Sequence, residues 1–559
     1  MVAIDRRVGY IFVAFLALLA VAVARAGYLG VIQAGSLQRD AVSEQITDEP
    51  VPAMRGAITD STGVELALSE SADDVIADPI LITQHESAMQ LAQMLAPRLH
   101  LPVLTVLATL TKPHSGYSIV AREVPPAAAK AIMGLQIGGK PVDGISLAPD
   151  VKRVYPRSWT ASQILGGVNA AGAGDGGLEY QYNSLLAGRA GERRIVNDGQ
   201  GHAIAIDNVR AMVPGKTLKL TLNGALQDEV EQVLAGVGAE YSPQGATAIV
   251  MNPSTGAILA LANWPRVNAN DPGGAPAADG VDRAVDDSYE PGSTFKAVTV
   301  SGAIQDGLVT PNTQLDIPPV LQVADRQIHD AEDHGYETLT VAQVLQVSSN
   351  IGADEIGMRL GPNRFNYWVR RFGFGSPTGV NLPGEQPGIV LEPSQYSGSS
   401  MGNLPMGQGE SVTPIQMATA YSAIANGGVL RPPHIVAAIG NKPVPVPAGH
   451  RILSQATAAE VRTMLRGVLA DGGTASGAAI AGYDMAGKTG TANMVVDGKY
   501  SNTEFVASFI GMVPVNDPKL VVAVMVTDPQ GSIYGGSVAA PAFQKIVGWA
   551  VPYLGINPS

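Results

Sequence analysis

The stretch "YEPGSTFK", residues 289–296, places a serine three positions before a lysine. Pro291 and Gly292 interrupt the structure that precedes them, and the mostly apolar sequence "AVTVSGAI" follows at 297–304. This pattern predicts a buried helix that begins near Ser293. Because residues three apart lie on one face of a helix, Ser293 and Lys296 should face the same side.

Two interpretations of this stretch are open. Ser293 could simply cap the N-terminus of the helix, which accounts for the serine but leaves a lysine one turn into a buried helix without a role. Alternatively, Ser293 is a nucleophile and Lys296 its base. Burial disfavours the charged ammonium, so Lys296 could act as a free amine, and the helix N-terminus directs backbone N–H groups at the point of attack.

Two further motifs lie downstream. "VSSN" at 347–350 follows a helical pattern and places a serine two residues before an asparagine. "AGKTGTA" at 486–492 reads as a strand in which Thr489 and Thr491 share one face. Gly490 leaves room for another backbone to approach, as peptide docking along a strand edge requires. The alternative for this motif is a glycine-rich strand with polar edges and no catalytic role.

Composition limits the class of protein. The chain has 559 residues, enough for two to four domains, with 46% hydrophobic and 15% charged residues, which suits a folded protein. Its formal net charge of −13 argues against a nucleic-acid partner, because phosphate binding needs clustered Lys and Arg. Cysteine is absent, so disulfides, thiolate nucleophiles and cysteine metal sites are excluded.

The N-terminus predicts a membrane anchor. Arg6 and Arg7 precede the uncharged stretch "VGYIFVAFLALLAVAVA" at 8–24, which as a helix spans roughly 25 Å. The apolar sequence continues past Arg25, and the two leading arginines favour an orientation with the N-terminus in the cytoplasm. The competing interpretation is a signal peptide cleaved after "AVA" at 22–24.

Residues 36–215 contain short candidate strands rich in Gly and Pro, and they predict an irregular, β-rich module without catalytic residues. From residue 220 onward, strand pairs lie near both ends, at 246–262 and 505–527, with helix-rich sequence between them. Such an order predicts an α+β domain, with one antiparallel sheet and helices packed on both of its faces. We therefore expect a cytoplasmic tail at residues 1–7 and a membrane anchor at 8–30. A pedestal module should follow at 36–215 and a catalytic domain at 220–559.

The three motifs together, S-x-x-K, S-x-N and K-T-G in this order, are similar to the set found in penicillin-binding proteins and serine β-lactamases. The chain resembles a class B penicillin-binding protein over essentially its full length, and the septal (FtsI-like) branch is favoured. Three segments resemble the family's pedestal: "PAMRGAITDSTGVELA" (52–67), "RVYPRSWTASQILG" (153–166) and "GGLEYQYNSLLAGRAG" (176–191). Two segments resemble its transpeptidase domain: "VMNPSTGAILALANWP" (250–265) and "MGQGESVTPIQMATAYSAIANGG" (406–428).

The resemblance implies a catalytic role for five residues. Ser293 would be the nucleophile that forms an acyl-enzyme with the stem peptide, and Lys296 would be its general base. Ser348 would relay a proton to the leaving amine, Asn350 would hold the substrate amide, and Lys488 would tune the electrostatics of the site. β-Lactams would acylate the same serine.

The resemblance also implies a substrate-binding strand. Thr489 and Thr491 would meet the substrate carboxylate, with Gly490 between them. The backbone N–H groups of Ser293 and Thr491 would form the oxyanion hole. No cofactor and no metal ion are expected. The acceptor of the acyl group stays open, because a D,D-carboxypeptidase or β-lactamase uses water through the same acyl-enzyme, and a division-complex scaffold would use no chemistry.

The expected partners follow from the family. They are peptidoglycan stem peptides, β-lactams, division-complex proteins and a SEDS-family glycosyltransferase, because no polymerising domain fits between the anchor and the pedestal. The expected location is the bacterial cell membrane, crossed once, with the catalytic domain outside the cytoplasm.

Two acidic stretches are predicted to lie outside the catalytic machinery. "IHDAEDH" at 328–334 could bind a metal through His329, Asp330 and His334 but is favoured as a surface connection, and "DRAVDDSYE" at 282–290 is predicted to be a solvated loop.

Overall fold

The computed structural model describes residues 2–33, 35, 46–85, 87–197 and 203–558. Residues 36–45, at the start of the predicted pedestal module, lie outside the described residues. Helix α1 (Val2–Gly27) continues into a π-helical turn at Tyr28–Ile32. The apolar segment Val8–Ile32 contains 25 residues, about 37 Å as a helix, so it is long enough to cross a bilayer.

The remaining chain forms two compact units that interleave along the sequence. One consists of residues 1–54, 71–152 and 188–215, and the other of 55–70, 153–187 and 216–559. The sequence-based limits at 36–215 and 220–559 follow chain order, whereas the compact units do not. Each unit has its own hydrophobic core.

The first unit combines strands with helices. In one antiparallel sheet the strand Gly191–Asn197 lies between Ile46–Val51 and Ala203–Arg210. Elsewhere in this unit, residues 73–77 pair with the strand Ser118–Val124. The apolar stripes of its helices, whose core residues include Leu91, Leu95 and Val106, pack into one cluster. Those helices are Pro79–His85, Ala88–Leu99, Val103–Leu110 and Pro126–Met133.

The second unit is built on a five-stranded sheet whose neighbouring strands are all antiparallel. The strands are β1 (Gly245–Asn252), β2 (Ala257–Trp264), β3 (Ala486–Val496), β4 (Lys499–Val513) and β5 (Leu520–Thr527). Their order in the sheet is β2-β1-β5-β4-β3, so strands from the two ends of the domain meet in the middle. The sheet predicted from the two strand pairs is therefore confirmed, and β3 and β2 are its outer strands.

Helices cover both faces of this sheet. Side chains alternate along β1, so that Ala248 and Val250 belong to one core cluster and Ile249 and Met251 to the other. One face packs against α2 (Gly224–Tyr241) and α8 (Gly535–Tyr553). The other packs against helices that include α3 (Lys296–Gln305), α4 (Val341–Val347), α5 (Asn350–Arg371), α6 (Pro414–Ala425) and α7 (Gln455–Arg466).

A fully buried carboxylate joins segments that are far apart in the sequence. Glu179 pairs with the guanidinium groups of Arg55 and Arg153, which are also buried. Because an unpaired charge in a core is costly, this ion cluster fixes the three segments against one another. Each of these residues lies in a segment that resembles the family's pedestal, and all three belong to the second compact unit.

Several short elements complete the second unit. Leu218–Leu220 pairs in parallel with Ile58–Thr59 and antiparallel with Val436–Ile439. Three further hairpin-like strand pairs are Gln314–Ile317 with Glu337–Thr340, Leu321–Val323 with Arg326–Ile328, and Val429–Leu430 with His450–Arg451. The short helices are Ser162–Leu165, Gly177–Gln181, Asn183–Leu186 and Arg283–Asp286.

Candidate active site

Ser293 lies in a tight turn that leads into a buried helix. The turn Gly292–Phe295 is 3₁₀-helical, and α3 begins at Lys296. Pro291 occupies the capping position of the turn, so the capping interpretation does not account for Ser293. The serine is partly exposed at the wall of a cleft of about 1210 Å³, whereas Lys296 is fully buried.

Two glycines let this turn lie directly against β3. A Cβ atom on Gly490 would lie 2.3 Å from the Ser508 hydroxyl and 3.0 Å from the Pro291 carbonyl oxygen. Gly292 has φ +53°, and a Cβ atom there would lie 3.1 Å from the Thr491 carbonyl oxygen. A side chain at either position would push the serine turn away from the strand. The backbone that approaches Gly490 is thus the turn that carries Ser293.

The Lys296 amine is held by residues of the second motif. Its Nζ atom donates to the Ser348 carbonyl oxygen at 2.6 Å and to Asn350 Oδ1 at 2.7 Å, and it lies 3.4 Å from Ser348 Oγ. Ser348 follows α4 in the left-handed conformation with φ 67°, which a non-glycine residue rarely adopts. This conformation turns both its carbonyl and its hydroxyl toward the lysine.

A second buried lysine approaches the same hydroxyl. Lys488 on β3 donates to Ser348 Oγ at 2.8 Å, and it also reaches the carbonyl oxygen and hydroxyl of Thr489. Ser348 Oγ therefore lies between two amines, both of which are fully buried. A hydroxyl can accept one hydrogen bond and donate another, so this arrangement can pass a proton.

Burial lowers the pKa values of both lysines. Loss of hydration brings the pKa of Lys296 down to about 8, although the nearby carboxylates of Asp330 and Asp354 act in the opposite direction. Burial and the charge of Lys296 hold the pKa of Lys488 well below its usual value. A lysine with a pKa near 8 is partly a free amine at neutral pH, as a general base requires.

Asp330 fixes the beginning of the helix that carries Asn350. Its carboxylate accepts from the Asn350 and Ile351 backbone N–H groups and from the Ser349 hydroxyl at 2.7 Å. The Asn350 amide in turn donates to the His329 carbonyl oxygen at 2.9 Å, which leaves Oδ1 directed at Lys296. A negative charge at a helix N-terminus is favourable, so Asp330 orients Asn350.

The predicted surface connection at 328–334 is instead a wall of the cleft. Within the described chain, Asp330, His334 and Glu337 form the one group of side chains close enough together to hold a metal ion. His329 does not belong to this group. Since Asp330 already accepts three hydrogen bonds at the start of α5, the geometry assigns it to orienting Asn350. Its carboxylate also lies 3.1 Å from His334 Nε2.

The third motif forms the opposite wall. Thr489 and Thr491 both line the cleft, as alternation along β3 predicts. The Thr489 hydroxyl lies 2.7 Å from that of Thr474, and Thr491 Oγ1 accepts from the Gly535 N–H at 3.1 Å. Each hydroxyl is thereby held in one orientation beside the serine.

The acidic stretch at 282–290 is not the solvated loop expected from the sequence. Asp282 caps a short helix and accepts from the Asn263 side chain, and burial raises the pKa of its carboxyl to about 6. Glu290 accepts from the Gly409 N–H at 3.0 Å and from the Tyr500 hydroxyl at 3.1 Å. Burial also raises the Glu290 pKa. These carboxyls connect the segment before Ser293 to its surroundings.

The tertiary structure brings the three motifs into one cleft. The sequence-predicted residues at its walls or directly behind them are Ser293, Lys296, Ser348, Asn350, Lys488, Thr489, Gly490 and Thr491. Sequence reasoning missed Thr474. It also gave Asp330 and Glu290 other roles, as a possible metal ligand and as part of a solvated loop. Each of the three acts through a partner at least 15 residues away. No local spacing signals such contacts.

Comparison with known proteins agrees with this geometry. The model of the penicillin-binding protein transpeptidase domain matches residues 246–548, and the model of the penicillin-binding protein dimerisation domain matches residues 50–220. The chain is 30% identical to "Probable peptidoglycan D,D-transpeptidase PenA" of Neisseria gonorrhoeae, over 99% of this chain and 94% of that protein. It is 31% identical to peptidoglycan D,D-transpeptidase FtsI of Escherichia coli, over 97% and 90%.

A solved structure has the same fold. Penicillin-binding protein 3 of Mycobacterium tuberculosis, complexed with aztreonam, superimposes with a TM-score of 0.71 at 29% identity, over 91% of this chain and 98% of that one. The chain therefore belongs to the penicillin-binding proteins. Within that family it is a class B member, a serine-type peptidoglycan D,D-transpeptidase with an N-terminal apolar helix and a dimerisation module.

Proposed function

We propose that Ser293 is the residue acylated during crosslinking and that Lys296 is its general base. The Ser293 hydroxyl attacks the carbonyl carbon of the D-Ala–D-Ala bond, and its proton passes to the Lys296 amine. Ser348 returns a proton to the departing D-Ala amine. The amine of a neighbouring stem peptide then attacks the ester, which releases Ser293 and forms the crosslink.

The observation that carries this proposal is the pair of buried lysines on either side of Ser348 Oγ, at 3.4 and 2.8 Å. Two buried amines cannot both hold a charge without a large cost, so at least one is a free amine able to accept a proton. Asn350 supports this assignment, because its side chain holds Lys296 in place and would also meet the substrate amide.

The substrate is proposed to bind along the outer strand β3. Thr489 and Thr491 present hydroxyls to the cleft for the substrate carboxylate, and Gly490 keeps the serine turn against the strand. The backbone N–H groups of Ser293 and Thr491 would stabilise the oxyanion that develops during attack. An extended peptide that adds to a sheet edge uses main-chain hydrogen bonds for affinity.

Intact-protein mass after incubation with a penicillin tests the assignment. The wild type should gain one drug-sized mass, and Ser293→Ala should gain none while keeping its melting temperature. Rapid turnover of the drug without an adduct would favour the β-lactamase alternative. Absence of both adduct and turnover would favour a non-catalytic scaffold. Incubation with a pentapeptide and an amine acceptor distinguishes crosslinking from carboxypeptidase activity, because only the former yields the dimeric product.

The cellular role is proposed to be septal. The chain would be anchored in the bacterial cell membrane by its apolar helix, with the catalytic domain outside the cytoplasm, and it would act beside a SEDS-family glycosyltransferase and division-complex proteins. The resemblance of the pedestal motifs and of residues 406–428 to the septal branch supports this role, and the family matches support modules at 36–215 and 220–559. A fluorescent fusion should concentrate at the division site, and depletion should block septation. Lateral labelling with loss of cell width control would instead indicate elongation.

A further inference from the structure

A second carboxyl group lies behind the general base. Asp354 is on α5, one helical turn after Asn350 and on the same face, and α5 packs against α3. Its side chain is fully buried, and neither of its oxygens has a hydrogen-bond partner within the described chain. A buried carboxyl without partners is rare and calls for an explanation.

The environment of Asp354 differs from that of Asp330. The Asp330 carboxylate accepts hydrogen bonds from the start of α5. Within the described part of the chain, no donor reaches the carboxyl of Asp354. Burial accordingly raises the pKa of Asp354 to about 8, close to that of Lys296, and each of these two groups acts on the other electrostatically.

The charged groups around Lys296 come from three elements. They are Asp354 from α5, Asp330 from the cleft wall at 328–334, and Lys488 from β3. Of these groups, Asp354 is a fully buried carboxyl whose oxygens accept no hydrogen bond within the described chain. In a buried site, the neutral forms of an acid and a nearby amine compete with their charged forms, because both ions lose hydration on burial.

We propose that Asp354 is a positioning residue whose charge acts on Lys296 from the adjacent helix and thereby sets the pH range in which Lys296 is a free amine. When the Asp354 carboxyl is neutral, Lys296 gives up its proton more readily and can then accept the proton of Ser293. When Asp354 is ionised, its negative charge favours the ammonium form of Lys296, and the base is blocked. This inference rests on the proposed role of Lys296 and adds a control of its protonation.

The test is the pH dependence of acylation by a fluorescent penicillin, measured on the full chain in detergent. Asp354→Asn keeps the shape of the side chain but cannot ionise. Loss of the negative charge that favours the ammonium form of Lys296 should shift the acidic limb of the profile to lower pH by about one unit. At pH 7 such a shift makes acylation roughly fivefold faster, because the fraction of free amine rises from about a tenth to about a half.

The chain offers a matched control in Glu410. This glutamate is also buried with both oxygens unpartnered, and burial raises its pKa to about 8, but the charge that acts on it belongs to Arg370 instead of Lys296. Glu410→Gln should therefore leave the pH profile of acylation where the wild type has it. Asp354→Ser provides a second neutral variant, which should shift the profile in the same direction as Asp354→Asn.

Several outcomes would overturn the inference. Profiles of Asp354→Asn and wild type that coincide, or an equal loss of rate at every pH, would show a purely structural role. Failure of both neutral Asp354 variants to fold would show the same. If the wild type forms no adduct, or keeps its rate as the pH falls, the assignment of Ser293 and Lys296 fails and this inference fails with it. If the wild type forms the adduct and its rate falls as the pH falls, a negative result with the Asp354 variants concerns the role of Asp354 alone.

Discussion

Gly490→Ala should impair the active site by moving one turn of backbone. The new Cβ atom would lie 2.3 Å from Ser508 Oγ, 3.0 Å from the Pro291 carbonyl oxygen and 3.0 Å from Thr294 Cγ2, whereas ordinary contacts are 3.4–4 Å. Ser508 lies opposite Gly490 on β4 and has little freedom because it is buried. Pro291 and Thr294 flank Ser293, so restoring a 3.4 Å contact with them moves the turn that carries Ser293 by about 0.4 Å.

A displacement of about 1 Å at a reacting group can cost about 100-fold in rate, so a shift of about 0.4 Å should slow acylation by penicillin by roughly 5- to 10-fold. Overpacking of this kind also costs about 1–3 kcal/mol in the free energy of unfolding. Stopped-flow fluorescence with a labelled penicillin measures the rate, and urea denaturation measures the stability. The double variant with Ser508→Ala should recover part of both, because it removes the closest contact.

Gly236→Ala is the matched control, since this glycine is exposed on α2 and a Cβ atom there meets nothing within 4 Å. It should leave acylation unchanged and should stabilise the helix by up to about 1 kcal/mol. If Gly490→Ala acylates within threefold of the wild-type rate, close packing of the serine turn against β3 is not what positions Ser293, and the account of this glycine is wrong.

Three further predictions concern ionised groups. Acylation of Ser293 should fall tenfold per pH unit below about 8, because the pKa of Lys296 is about 8 and only its free amine accepts the serine proton; rates from pH 6 to 9 check this. Glu179→Ala should destabilise the protein by about 3–5 kcal/mol in urea denaturation, because two buried guanidinium groups lose their counter-ion. Asp330→Ala should cost about 1–3 kcal/mol and slow acylation, because backbone N–H groups at the start of α5 lose their acceptor.

Each of these predictions has its own control. A rate that stays constant between pH 6 and 8 would exclude Lys296 as the group that must lose a proton. Asp48→Ala breaks an exposed pair with Arg194 and should cost far less stability than Glu179→Ala, so equal effects of the two substitutions would show that burial does not matter. Asp330→Asn keeps an acceptor oxygen for α5 and should lose less stability than Asp330→Ala; equal losses would contradict the capping role.

The α+β architecture and the motif residues were predictable because their signals are local. The short apolar runs at 246–251 and 257–262, separated by the turn sequence NPSTG, predicted β1 and β2, and both faces of those strands proved to be buried. The order of S-x-x-K, S-x-N and K-T-G predicted which side chains would share a cleft. Periodicity and spacing survive in the sequence because they depend on neighbours along the chain.

The sequence by itself determined the family, the order of the modules and the residues of the three motifs. Only the tertiary structure decided what holds them in place. Asp330 acts on a helix that starts 20 residues later, and Arg55 meets Glu179 across 124 residues. It also decided that Asp354 is buried, without a hydrogen-bond partner among the described residues, on a helix that packs against the helix of the general base. Burial and long-range contact exist only once the chain has folded, and they determine the charge of a buried lysine or carboxyl.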